Sequence, residues 1–252
     1  MGEVIRAVSF DLWDTVFIDD SDEPKRAALG LGTKVEARRK ELLAALREYH
    51  PVTPSQVEAA YRSSTERFNH VWHDEHRTMT VAERMGLLLD DLGLRLPRPA
   101  LNGVIKAWEE MEYEISPDLA PGVGAALEAL AGRYALAVIS DAIVSPGRVL
   151  RLILKKYGLL DFFTVFTFSD EIGASKPAPV VFTDTAARLG VPPQAVAHVG
   201  DRPHNDIQGP NRVGMKSILY DGVKKRPLEG HTPDAVCGDY SRLADIVAGL
   251  GR

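Results

Sequence analysis

Short, nearly unbroken apolar runs recur along this chain, separated by stretches with helical periodicity. Residues 4–10, 134–139, 162–168, 195–199 and 216–220 are β-rich and largely apolar. Such runs fit strands covered on both faces. Between and after them, residues 123–131, 147–157, 179–189, 205–213 and 241–250 repeat apolar positions at helical spacing. Strand alternating with helix predicts an α/β domain built on a parallel sheet.

The alternation breaks once. Residues 20–116 contain no convincing strand, and 34–49, 54–67, 81–92 and 99–114 read as helices punctuated by Pro51, Pro54, Pro97 and Pro99. The expected organisation is therefore a core of residues 1–19 and 117–252, with an all-helical insertion at 20–116. The insertion follows the first strand, at the strand end where α/β ligands bind. A mobile lid and an inert helical decoration are its two readings.

Composition narrows the classes. The 252 residues suit one large domain or a core plus an insertion. A net charge of −5 gives no overall pull toward nucleic acid or an acidic membrane. The basic run at 224–226 lies among Gly and Pro and reads as a solvated loop. No run is long enough to span a membrane, and the first residues do not read as a secretory signal. Cys237 is the single cysteine, which excludes an internal disulfide and agrees with a reducing, cytoplasmic setting.

Chemistry gathers where the predicted strands end. "VSFDLWDTVF" places Asp11 after the first strand, and "AVISD" places Ser140 at the tip of the second. "SDEIGASKPAP" supplies Lys176, and "AHVGDRPHNDIQG" supplies Asp201 at a strand end with Asp206 just beyond. In a parallel sheet these ends face one crevice. A carboxylate nucleophile, a hydroxyl, a cation and further acids suggest phosphoryl transfer through an aspartyl-phosphate. Two anions must then approach each other, so a hard dication is expected, and oxygen ligands suit Mg²⁺.

"FDLWDT", "ISDA", "SKPAP" and "VGDRPHNDIQG" resemble, in order, the four motifs of the haloacid dehalogenase-like (HAD) hydrolase superfamily. The helical insertion falls where one branch of that family carries a helical cap. The resemblance implies a Rossmann-like core of at least five parallel strands. It implies Asp11 as nucleophile, Lys176 as the cation steadying nucleophile and phosphate, and Ser140, Thr15 and the Asp141 backbone as phosphate-binding groups. Asp11, Asp201 and the backbone carbonyl of Trp13 would hold Mg²⁺. Asp206 would support that shell, and Gly200 would let backbone pass close to the site.

Trp13 departs from the pattern. Phosphatases of the family usually carry Asp two residues after the nucleophile, to protonate the leaving oxygen and assist water. Indole cannot donate a useful proton in this sense. Asp14, where the family commonly has Gly, is either a substitute acid or a local brace. Three functions stay open: a phosphatase of small phosphorylated metabolites, a 2-haloacid dehalogenase, and a phosphate-ligand or partner-binding protein without turnover. The dehalogenase branch needs no metal and does not generally keep the acids that Asp201 and Asp206 match. In the insertion, "FNHVWHDEHRTMT" brings His70, His73, Asp74, His76 and Arg77 together. Arg77 reads as a fork for a substrate anion or as a surface ion pair, and the histidines as solvated. Trp72 and Trp108 read as apolar core of the insertion. Mg²⁺-dependent hydrolysis through Asp11, in a monomer or homodimer, is the expectation.

Overall fold

The computed structural model describes residues 4–251. Among them, six parallel strands form one sheet: β1 Ala7–Phe10, β2 Ala135–Ser140, β3 Val165–Phe168, β4 Val196–Gly200, β5 Lys216–Tyr220 and β6 Ala235–Cys237. Their order is β3-β2-β1-β4-β5-β6. The order reverses between β1 and β4, so the crevice at their carboxyl ends is the topological switch point. β1 and β4 are buried at every position, as central strands covered on both faces must be.

The chain folds into two compact units. The first comprises residues up to Asp19, Pro117–Asp141 and Leu154 onward, and holds the sheet. The second comprises Asp20–Ser116 and Ala142–Ile153. It contains helices α1 Glu23–Ala28, α2 Lys34–Arg47, α3 Pro54–Asp74, α4 Val81–Leu92 and α5 Arg98–Glu114. Thr33, Thr53 and Thr80 open α2, α3 and α4 with reciprocal capping boxes to Glu36, Gln56 and Glu83. Leu42, Leu46, Met85, Leu88 and Trp108 form the core of this unit. In the sheet unit, α6 Val123–Ala131, the end of α7 Gly147–Lys156, α8 Ser169–Ile172, α9 Pro179–Leu189, α10 Gly209–Arg212 and α11 Leu243–Leu250 accompany the strands. No described helix is long and apolar enough to cross a membrane.

Several elements differ from the sequence reading. β1 starts at Ala7, because Val4 is exposed and contributes nothing to the core. β6 escaped notice: it is three residues long with exposed Val236, and its surroundings are Gly- and Pro-rich. α3 runs on to Asp74, past residue 67, and its buried face continues with Phe68. The short α1, with Pro24 in its first turn, was also missed. The helix expected at 205–213 is instead a wide π-helical turn, Pro203–Gln208, followed by α10. Its geometry follows from Asp206, whose carboxylate turns back to accept the Arg202 N–H at 2.9 Å.

Two glycines give opposite expectations. A Cβ at Gly86, exposed on α4, meets nothing, so Gly86→Ala should raise stability by about 0.5–1 kcal/mol in urea unfolding. A Cβ at Gly200 would lie 2.4 Å from the Asp206 carboxyl carbon, so Gly200→Ala should lower it by about 1–3 kcal/mol.

Candidate active site

β1 delivers Asp11 to the switch point, where its N–H donates to the Val199 carbonyl at 2.9 Å. The Lys176 ammonium bridges two acids, donating to Asp11 Oδ1 at 2.7 Å and Asp206 Oδ1 at 2.6 Å. Lys176 is located in turn by Asp141, whose Oδ1 accepts the Lys176 backbone N–H at 3.0 Å. Asp141 therefore braces the lysine loop with its side chain, a role beyond the backbone contact expected of it. Asp11, Lys176, Asp201 and Asp206 are all buried.

Behind the acids lies a buried relay that the sequence reading missed. The Ser9 hydroxyl sits 2.9 Å from His198 Nδ1, and His198 Nε2 lies 3.2 Å from Asp206 Oδ1. Burial lowers the His198 pKa and favours the neutral ring. The carboxylate can only accept, so Nε2 carries the proton and Ser9 donates to Nδ1. Burial opposes charge on Lys176 too, but Asp11, Asp206 and Asp141 outweigh it and raise the ammonium's pKa. Burial likewise opposes ionisation of Asp206, yet Lys176 and the His198 hydrogen bond draw its pKa down.

Asp201 differs. Burial and the charges of Asp206 and Asp11 push its carboxyl up to about 7, against the pull of Arg226. Arg226 Nε donates to Asp201 Oδ2, and its Nη2 donates to Asp14 Oδ2 at 2.9 Å. Asp14 Oδ1 accepts the Asp19 N–H at 3.1 Å. The Asp14 backbone has φ +52°, the left-handed conformation for which glycine is favoured. Asp14 thus braces the loop, with both oxygens engaged. In the basic run, Lys224 and Lys225 are exposed as expected of a solvated loop, and Arg226 departs from that reading. Arg226 is pinned between Asp14 and Asp201, and Lys224 Nζ lies 4.0 Å from Asp14, because the acid cluster attracts this loop. Nothing in the local sequence of residues 224–226 announces that long-range pairing. Arg202 was overlooked beside Asp201; burial opposes its charge, but Asp11, Asp201 and Asp206 raise its pKa.

Several polar atoms here are buried with no partner among the described residues: Thr15 Oγ1, Ser140 Oγ and Asp201 Oδ1. One oxygen from each of Asp11, Asp201 and Asp206 lies within 4.8 Å of the others. Hard oxygen donors in one cluster, one of them unsatisfied, fit a hard dication such as Mg²⁺. Gly200, with Asp206 against it, leaves no room for a side chain at the strand tip. Trp13 is half-buried, its indole 5.9 Å from the Phe17 ring. Arg77 belongs to the helical unit, where its Nη1 donates to Glu83 Oε1 at 2.9 Å in an exposed ion pair. His70 and Asp74 form an exposed pair at 2.6 Å, and the His73 ring sits 4.5 Å from Trp72. Trp108 is core of the helical unit, and Trp72 stacks on Phe68.

This sheet order, with these residues at its strand ends, defines a HAD-type core. The chain belongs to the haloacid dehalogenase-like hydrolase family, whose model matches residues 5–214. It is 36% identical over 104 residues to a glyceraldehyde 3-phosphate phosphatase of Methanopyrus kandleri, covering 39% of this chain and 44% of that protein. It is 40% identical over 68 residues to a ribulose-1,5-bisphosphate 5-phosphatase of Halopiger xanaduensis, covering 27% of this chain and 28% of that protein. These matches span less than half of each relative's length. A 2-haloacid dehalogenase structure from Pseudomonas syringae superposes with TM-score 0.72 at 23% identity, covering 98% of this chain and 99% of that one. The Bacillus subtilis HAD-hydrolase YfnB, in a structure bound to magnesium, superposes with TM-score 0.58 at 18% identity, covering 97% and 99%. At these identities the structures show a shared fold.

The raised Asp201 pKa has a measurable consequence. Between the ordinary carboxylate value and about 7, the folded protein binds a proton that the unfolded chain has released. Stability from this group therefore falls as pH rises through that window. In chelator, the stability of wild type minus that of Asp201→Asn should drop by about 2 kcal/mol between pH 5 and pH 8 in urea unfolding. Comparing the two proteins cancels His198, whose lowered pKa acts in the opposite sense. Arg226→Gln should move the midpoint of this drop to higher pH.

Proposed function

We propose that this protein is a Mg²⁺-dependent phosphatase of small phosphomonoesters, working through an aspartyl-phosphate on Asp11, with residues 20–116 as its cap. The carrying observation is the set of unsatisfied buried atoms beside the Lys176-bridged acids. A phosphate group would satisfy Ser140 and Thr15, and a dication the free oxygen of Asp201. The phosphatase names of the curated relatives support the same reading. Asp201 and Asp206 favour it over dehalogenation, a branch that needs no metal and does not generally keep these acids.

Asp11 would attack phosphorus with the oxygen that Lys176 does not hold. The ester P–O bond breaks, and its electron pair leaves on the alcohol oxygen. Water then attacks the aspartyl-phosphate, releasing phosphate and restoring the carboxylate. Ser140, Thr15 and Lys176 neutralise and orient the phosphoryl oxygens. Asp11, Asp201 and the Trp13 carbonyl would hold the Mg²⁺, which supplies Lewis acidity toward the phosphoryl group when bound, with Asp206 supporting.

No side chain at position 13 can protonate the leaving oxygen, and Asp14 is occupied by Arg226 and Asp19. Leaving-group basicity should therefore dominate the rate. An aryl phosphate is expected to be hydrolysed much faster than an alkyl phosphate, with Mg²⁺ required and Asp11→Asn inactive. Trp13→Asp should raise alkyl phosphate hydrolysis by about 10²–10⁴-fold and aryl hydrolysis far less. Phosphate release in chelator, or by Asp11→Asn, would refute the proposal.

A further inference from the structure

One cation beside the acid cluster has no part in the chemistry derived above. Arg226 lies on the loop after β5, with its side chain 23% exposed. Its Nε donates to Asp201 Oδ2, and its Nη2 donates to Asp14 Oδ2 at 2.9 Å. Asp201 is fully buried, and its Oδ1 has no partner among the described residues. The two oxygens of one carboxylate are thus divided. A guanidinium holds one, and the other is the oxygen that a dication would take.

The far side of Arg226 matters equally. Asp14 is only 4% exposed, and its φ of +52° is a strained conformation for a residue with a side chain. A buried carboxylate needs a countercharge. Arg226 supplies it at hydrogen-bonding distance, whereas the exposed Lys224 comes no nearer than 4.0 Å. A guanidinium cannot discharge itself by losing a proton, so its charge persists beside Asp201. A dication on Oδ1 and a guanidinium on Oδ2 of the same carboxylate repel each other, the more so with water excluded. The hydrogen bond to Oδ2 also draws on the electron density that the carboxylate would give to a metal. Asp14 offsets part of the guanidinium charge.

We propose that Arg226 is a tethered rival of the dication, which lowers the Mg²⁺ affinity of the site holding Asp11 and Asp201, and that Asp14 limits this effect. The pair sets how much Mg²⁺ the site needs. The inference rests on the Mg²⁺ site proposed above and names the residues that set its affinity. A pair that only braced the loop would behave differently. Breaking it from either side would then loosen the same loop and weaken metal binding both times. Rivalry gives the two substitutions opposite signs.

The test is isothermal titration calorimetry of Mg²⁺ into metal-free protein, at low constant ionic strength and a fixed pH above the Asp201 range. Arg226→Gln removes the charge and should tighten Mg²⁺ roughly tenfold. Asp14→Asn leaves the guanidinium less compensated and should loosen Mg²⁺ several-fold. Arg226→Lys keeps the charge and should bind within about twofold of wild type. If Arg226→Gln binds no tighter than wild type, or if both Arg226→Gln and Asp14→Asn loosen Mg²⁺, the inference is wrong and the phosphatase reading stands. Uptake that survives Asp201→Asn lies elsewhere and overturns the inference as well. No uptake by either wild type or Arg226→Gln overturns both readings. Should Arg226→Gln fail to fold, the other two variants still decide: bracing loosens both, and rivalry loosens Asp14→Asn alone.

Discussion

One buried ammonium holds this site together. Lys176 stands between Asp11 and Asp206 at hydrogen-bonding distance from both. Asp11, Asp201 and Asp206 bring oxygens within 4.8 Å of one another. Each like-charged contact at such range costs on the order of 4 kcal/mol at an effective dielectric constant near 20. Without the lysine, Asp11 and Asp206 would lose the cation they share while buried away from water. The surrounding contacts serve that bridge. Asp141 fixes the lysine backbone, His198 and the Arg202 N–H orient Asp206, and Gly200 lets Asp206 fold back over the strand tip.

The compensation is incomplete, and its gaps mark the chemistry. Asp201 keeps one unsatisfied oxygen while Arg226 holds the other. Ser140 and Thr15 keep unsatisfied hydroxyls. A protein under selection for stability alone would close such gaps. Here they coincide with the groups that a dication and a phosphate would need. Asp14 and Arg226 add a brace at a position where the family commonly has Gly. The carboxylate one residue beyond Trp13 thus steadies the loop, and proton transfer to the leaving group has no resident donor there.

Much of this was legible in the sequence because it is local. A buried strand shows as an apolar run, and an acid at its end needs no distant partner to be noticed. Asp11, Ser140, Lys176 and Asp201 were found in this way, and the sheet brings Asp11 and Lys176 into direct contact. What escaped depends on tertiary pairing. Arg226 lies 25 positions from Asp201 and 212 from Asp14, within a run indistinguishable from a solvated loop. His198 did leave a trace, as the lone polar residue of "VAHVG", and a basic ring inside a buried strand warranted a partner. β6 left none, being too short for periodicity to register.

The measurement closest to the central claim is direct detection of the covalent intermediate. The protein would be quenched in acid during turnover of an aryl phosphate with Mg²⁺, and its peptides read by mass spectrometry. The Lys176-steadied carboxylate should carry a hydroxylamine-labile phosphoryl group on Asp11. It should accumulate because Trp13 offers no base for the water step. Turnover with Asp11 unmodified, or with the label on another residue, would contradict the account.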